Sequence, residues 1–341
     1  MKTVPVREAL GMVLCHDMTQ IIPGEFKGPA FRKGHIVREE DLPRLLSMGK
    51  ETLYVWELQD GRLHEDEAAR RIARASAGPG IRLTEPKEGK VDFVATHDGL
   101  LKVDVDTLLE INAVDHAMLA TLHSNQRVPA GKIVAGTRII PLVIDEERIR
   151  YIESLCRRAG SLVEVRPFVS LKTGIVTTGN EVYHGRIRDK FGPVVVKKLG
   201  ELGCPVVGRA FVPDSVEEIV EAIRGLIRDG AQMITVTGGM SVDPDDLTPA
   251  GIREAGGRIV CYGAPVLPGA MFMLAYIGRI PVLGLPGCVM YHRTSIFDLV
   301  LPRILAGEEI TRKDIAKWAH GGLCAQCGEC KYPDCGFGKG A

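Results

Sequence analysis

A chain of 341 residues is too long for one ordinary compact domain, so two or three domains with sizeable cores are expected. Its 43 Lys and Arg balance 43 Asp and Glu, which leaves no overall field to recruit nucleic acid or an anionic membrane surface. No apolar stretch precedes Arg7 and Glu8, and no later run approaches the ~18 apolar residues of a membrane span, so a cytoplasmic protein is expected.

Residues 1–60 read as a small mixed unit. Short apolar runs are broken by Pro23, Gly24, Gly28, Pro29 and Gly34, and Leu42, Leu45 and Leu46 fall at helical spacing before Gly49. Residues 61–165 read as a β-rich domain. It opens with the helix HEDEAARRIARAS, acids first and arginines last as the helix dipole favours, and continues in β-type runs such as VDFVAT, LLKVDV and KIVAGTRII. A helix near 145–158 closes it.

From 166 to 308 strands and helices alternate: LKTGIVTT, a helix to about Gly203, PVVGRAFV, DSVEEIVEAIRGLIRDG, MITVTGG, and IPVLG followed by one helix VMYHRTSIFDLVLPRIL. This order predicts an α/β domain with a mainly parallel sheet and helices on both faces. The clearest helix has Asp214 or Ser215 as its cap, apolar Ile219, Ile223 and Leu226 on one side, and Gly230 at its end.

In such a sheet ligands collect where strands end and helices begin. Three segments qualify: Thr177-Thr178-Gly179-Asn180-Glu181; Thr237-Gly238-Gly239-Met240-Ser241 with Asp243, Asp245 and Asp246; and Leu285-Pro286-Gly287-Cys288. Glycines let backbone approach a phosphate, hydroxyls donate to it, and carboxylates hold the Mg²⁺ that offsets its charge. Each feature has an ordinary structural explanation as well: a glycine turn after a strand is often only a turn, and Thr178, Ser241, Asp245 or Asp246 suit helix caps. Three such loops in one domain, two of them acidic, favour the ligand site.

The segments TTGNEV, TGGMSVDPDDLTP and GLPG, in this order, resemble the molybdopterin-binding domain shared by MogA, MoeA, gephyrin and CinA, and the overall outline is similar to a MoeA-like molybdopterin molybdenumtransferase. The resemblance covers about 140 residues and implies that molybdopterin is substrate or ligand, with Thr178, Gly179, Asn180, Gly238, Gly239, Ser241, Asp245, Pro286 and Gly287 around it. It also implies that Glu181 and Asp246 hold Mg²⁺ and serve catalysis, and that adenylated molybdopterin is hydrolysed to release AMP while molybdate is inserted. Asn180 stands where MoeA-like proteins have Asp, Asp243 where they have Gly, and Cys288-Val289 where they have Asn-Pro; Asp245-Asp246-Leu-Thr-Pro is closer to the CinA pattern. Two alternatives follow: a non-catalytic protein that binds and delivers the pterin, and a CinA-like nucleotide pyrophosphatase. Expected partners are molybdopterin and molybdate, a molybdoenzyme or another protein of cofactor biosynthesis, and further copies of the chain in a homo-oligomer.

Residues 309–341 read as a cysteine-rich tail. Cys324, Cys327, Cys330 and Cys335 fall within twelve residues in the order CxxCxxCxxxxC, one residue longer than the ferredoxin run. Four thiols so close suit an iron–sulfur cluster or Zn²⁺. With almost no apolar residues to build a core, the tail is expected to be ordered mainly by ligation, so that cutting near Gly307 leaves a folded protein.

Overall fold

The computed structural model describes residues 2–22, 25–55, 61–241 and 243–340; Pro23 and Gly24 of the N-terminal turn and Val242 of the second loop lie outside them. The chain divides into two compact units, residues 1–96, 103–122 and 131–164 in the first and 97–102, 123–130 and 165–341 in the second.

In the first unit, Lys2–Pro5 pairs antiparallel with Thr52–Val55 over a small core that includes Val4, Leu14, Phe31, Leu45 and Leu53. A four-stranded antiparallel sheet runs in the order Ile81–Leu83, Val91–Ala95, Ile133–Ile139, Ala117–Thr121. Helices Glu65–Ser76 and Glu146–Ala159 are joined by Arg71, which reaches Glu146 and Glu153 at 2.8 Å each.

The second unit is built on a six-stranded sheet in the order Val206–Val212, Thr173–Thr178, Met233–Thr237, Ile280–Leu285, Met273–Ile277, Arg258–Tyr262. The first four are mutually parallel and are the four strands legible in the sequence. Met273–Ile277 runs antiparallel to both its neighbours, Ile280–Leu285 and Arg258–Tyr262; a two-residue turn at Gly278-Arg279, with φ +59° at the glycine, folds it back on Ile280–Leu285. The sheet is therefore mixed.

Alternation along each strand sends neighbours to opposite faces. Ile175, Met233, Leu274 and Leu283 share one core with Val195 and Leu199 of helix Phe191–Gly200 and with helix Ile296–Leu305. Val176, Ile234, Ala275 and Val282 share another with Ile219, Ile223 and Leu226 of helix Val216–Arg228 and Ile252 of helix Thr248–Glu254. Helices thus cover both faces. Ser215 caps Val216–Arg228 by accepting from the Glu218 N–H.

Two expectations are corrected. The stretch after Gly287 is two helices, Cys288–Tyr291 and Ile296–Leu305. His292 is extended (φ −102°, ψ 136°), and the chain restarts at Ser295, whose side chain forms a capping box with Asp298. His292 and Arg293 therefore sit in the break between the two helices. The tail also has a core: Ile310, Ile315, Trp318 and Phe337 are buried with the main cluster, and helix Arg312–Lys317 is capped by Thr311. Apolar packing, spread thinly through a polar segment, anchors it on both sides of the cysteines. Among the described residues no helix is long and apolar enough to cross a membrane.

Candidate functional site

The parallel strands deliver the first two loops side by side. Gly238 has φ +89°, and a Cβ on it would stand 2.2 Å from the Thr178 carbonyl oxygen, so the second loop runs backbone against the end of the first strand. Only glycine permits that approach. Thr248 then ties the loop down: its hydroxyl donates to the Gly238 carbonyl at 2.8 Å, its N–H donates to the Gly239 carbonyl at 3.2 Å, and its hydroxyl lies 3.4 Å from that of Thr178. Thr178 and Thr248 are buried and act as supports of the loop.

Beyond this floor the loop turns outward. Asp246 accepts from the Asp243 N–H at 2.9 Å and donates its own N–H to the Asp243 carbonyl at 3.0 Å. Helix Thr248–Glu254 begins at Leu247 with no side-chain cap, so neither Asp245 nor Asp246 caps it. The Tyr262 hydroxyl donates to the Ser241 carbonyl at 3.1 Å; burial, reinforced by the Asp246 carboxylate, pushes that phenol above its usual range and keeps it a donor.

A cavity of about 780 Å³ opens above the loops. Its wall brings together Gly238, Gly239, Ser241 and Asp246 of the second loop with Pro286 and Gly287 of the third. A Cβ on Gly287 would meet nothing within 4 Å. Thr178, Gly179, Asn180, Glu181 and Asp245 are outside this wall. Gly179 has φ +136° and its Cβ position is 2.9 Å from a Glu181 carboxylate oxygen, so Glu181 folds back over the turn while remaining exposed. Asn180 faces Asp214 instead: its N–H donates to the carboxylate at 2.9 Å, and the Asp214 N–H donates to its amide oxygen at 3.4 Å.

Three contributions to the wall escape a reading of the sequence. The loop Leu267–Met271, His292, and Leu323 with Gln326 of the tail all line the cavity. VLPGAM is the one signal that a glycine turn stands there; nothing periodic marks a tail residue that arrives by long-range packing. Cys288 is also in the wall, and burial pushes its thiol up, so it is a neutral group there.

The four tail cysteines line one cavity of about 450 Å³. Cys327 is exposed and the other three are partly buried. The Cys330 sulfur lies 3.3 Å from the Thr294 hydroxyl; that contact, with the Tyr332 backbone, holds the thiol below its usual range. Among the described residues no three His, Cys, Asp or Glu side chains gather closely enough to hold a single ion, at the tail or at Glu181 and Asp246. For Mg²⁺ the donor set fits all the same: that ion is bound through one or two carboxylates plus the phosphates of its partner, and Asp246 supplies a carboxylate in the cavity wall.

Residues 174–306 match the family described as "Probable molybdopterin binding domain", and residues 3–57 match a "Domain of unknown function (DUF8806)". A molybdopterin molybdenumtransferase of Synechococcus elongatus is 26% identical over 208 residues, 57% of this chain and 49% of that protein. A CinA-like protein of Mycobacterium sp. (strain MCS) is 36% identical over 90 residues, 26% of this chain and 21% of that protein. The chain thus spans about half the length of the first of these relatives and about a fifth of the second. Among solved structures, the molybdopterin biosynthesis MoeA protein of Pyrococcus horikosii is 17% identical with a TM-score of 0.33, over 72% of this chain and 79% of that one. The tungsten cofactor synthesizing protein MoaB of Pyrococcus furiosus is 20% identical with a TM-score of 0.30, over 40% of this chain and 96% of that one. The segment 174–306, which holds the parallel strands and all three of their loops, belongs to the molybdopterin-binding domain family.

Proposed function

We propose that the 780 Å³ cavity binds molybdopterin with its phosphate over the Gly238-Gly239 and Pro286-Gly287 turns, and that the chain inserts molybdate into adenylated molybdopterin. The observation that carries this reading is the meeting of Ser241 and Asp246 with these glycine turns in one wall at the carboxyl ends of parallel strands. An anion there meets backbone and a hydroxyl before it meets bulk side chains. The homology to a molybdenumtransferase over 208 residues supports the same assignment.

The reaction splits the phosphoanhydride of adenylated molybdopterin with water: the P–O bond to AMP breaks and water supplies the new oxygen; as the two dithiolene sulfurs bond to molybdenum, one Mo–O bond of molybdate breaks and its oxide leaves as water with the two thiol protons. The Ser241 hydroxyl donates to a phosphate oxygen, and the backbone of Gly239 and Gly287 orients the diphosphate. Asp246 is assigned to hold Mg²⁺, which when bound neutralises the diphosphate charge. Thr178 and Thr248 keep the floor rigid, and Asn180 with Asp214 fixes the first turn.

A second reading, a CinA-like nucleotide pyrophosphatase, is favoured by the Asp245-Asp246-Leu247-Thr248-Pro249 sequence and by the 36% identity to a CinA-like protein. Incubation with Mg²⁺, molybdate and adenylated molybdopterin separates the two. AMP release that depends on the pterin and on molybdate supports insertion; cleavage of free ADP-ribose supports the pyrophosphatase; binding without cleavage of either leaves a carrier that delivers the pterin to a molybdoenzyme.

A further inference from the structure

Two large apolar side chains stand exposed in the wall of the ligand cavity, Leu267 at 54% and Leu323 at 72%. Single exposed leucines are ordinary on a protein surface; these two are a pair. Leu267 and Leu323 are partners across a parallel bridge, in which the Leu267 N–H donates to the Gly322 carbonyl and the Cys324 N–H donates to the Leu267 carbonyl, both at 2.8 Å. Bridge partners put their side chains on the same face, so the leucines lie side by side. Gly322 makes the approach possible: a Cβ there would stand 2.2 Å from the Pro265 carbonyl oxygen, and only glycine lets the two backbones come that close. Trp318 and Phe337, buried on either side, hold the tail to this loop.

The polar side chains of the same wall are Ser241, Asp246, His292 and Gln326, with the Cys288 thiol. Ser241 and Asp246 sit with the glycine turns that take the phosphate. Gln326 stands at φ +51°, a left-handed conformation unfavourable for a residue with a Cβ, and among the described residues its amide bonds no other group. The matched family segment ends at residue 306, so Leu323 and Gln326 reach the cavity from chain outside it.

We propose that Leu267 and Leu323 form an apolar shelf for the face of the pterin ring, with the Gln326 amide donating and accepting at the ring's amino–oxo edge. The shelf rests on the pterin reading of this cavity. A ligand whose phosphate lies over the glycine turns needs a second surface for its ring. A pterin ring has apolar faces and an edge of alternating donors and acceptors; two adjacent leucines match the face, and a carboxamide, both donor and acceptor, matches the edge. Binding then takes from water the leucine surface that folding leaves exposed.

The test uses the full chain without oxygen, as wild type and as Leu267→Ala, Leu323→Ala, Leu323→Met and Gln326→Ala. The Kd for molybdopterin and for its dephosphorylated form is measured by equilibrium dialysis with Mg²⁺, together with melting temperature and association state by gel filtration. Each leucine-to-alanine change is expected to weaken both ligands in the same proportion, roughly tenfold, the order expected when part of a leucine side chain is lost from a buried contact. Melting temperature is expected to stay put, since neither leucine is in the core. Leu323→Met, which keeps the apolar surface, is expected to bind like the wild type, and Gln326→Ala to weaken binding severalfold. Unchanged affinity in the alanine variants overturns the shelf while leaving pterin binding intact, and a simultaneous shift in association would assign the leucines to contact with a second copy of the chain. A loss confined to the phosphorylated ligand, or a loss that Leu323→Met shares, also overturns it. Absence of molybdopterin binding by the wild-type chain overturns the pterin reading and the shelf with it.

Discussion

Gly238 illustrates how much of the site depends on missing atoms. Alanine there must accept φ +89° and a Cβ 2.2 Å from the Thr178 carbonyl oxygen, a backbone contact that no rotamer relieves. We expect Gly238→Ala to cost about 2–4 kcal/mol, the left-handed penalty plus the displaced loop, read as a lower denaturant midpoint. Asp246 is the opposite case. It caps no helix, and its bond to the Asp243 N–H is worth about 1 kcal/mol. Asp246→Ala should therefore leave the melting transition nearly intact while reducing Mg²⁺-dependent turnover at least tenfold; unfolding without a specific loss of activity would assign Asp246 to loop structure alone. Spacing from the helix start is the same for a cap and for a wall residue, so the sequence leaves both open at this position, and only the placement of Leu247 decides. Asn180 was equally illegible, since its partner Asp214 lies 34 residues away.

At the scale of elements, the alternating strands and helices of 166–308 were legible because apolar runs such as GIVTT and MITV end in glycine turns. The break at His292 was not: Ser295 and Asp298 cap from the far side of an otherwise continuous apolar pattern. The tail corrects the expectation more sharply. Trp318 is 3% exposed in the shared core, so Trp318→Ala should cost about 3–5 kcal/mol, and removal of residues after Gly307 should destabilise the second unit instead of sparing it. Circular dichroism melts of both variants check this. The tail also carries a pH-dependent clamp. Arg303, almost fully buried, bonds Glu308 at 2.6 Å and Asp314 at 2.9 Å. Burial raises the Asp314 carboxyl, but hydrogen bonds from Thr311 and Arg303 outweigh it and hold the group at about 2. A carboxylate lowered on folding contributes stability that is present above its unfolded value near 4 and is lost as pH falls through the folded value. The melting temperature is thus expected to drop between pH 4 and 2, and Asp314→Asn should lower stability at pH 7 while flattening that drop.

For the whole molecule, what the sequence hid is the division of the chain. Residues 97–102 and 123–130 join the second unit although both neighbours in sequence belong to the first, a strand exchange that leaves no local signature because antiparallel partners such as Leu100 and Arg127 are far apart in the chain. The α/β region was legible because βαβ order constrains topology strongly. The wall residues Leu267–Met271 and Gln326 were not, since they reach the cavity from other elements. The central claim is that this cavity recognises the phosphate-bearing pterin, and it is tested most directly by equilibrium binding of molybdopterin and its dephosphorylated form to the full chain and to its Ser241→Ala and Asp246→Ala variants. The account predicts saturable binding of one molybdopterin per chain, weakened at least tenfold by loss of the phosphate or of Asp246 with Mg²⁺ present, as expected for a charge-assisted contact. No saturable binding, or equal affinity for both ligands in all three chains, would contradict it.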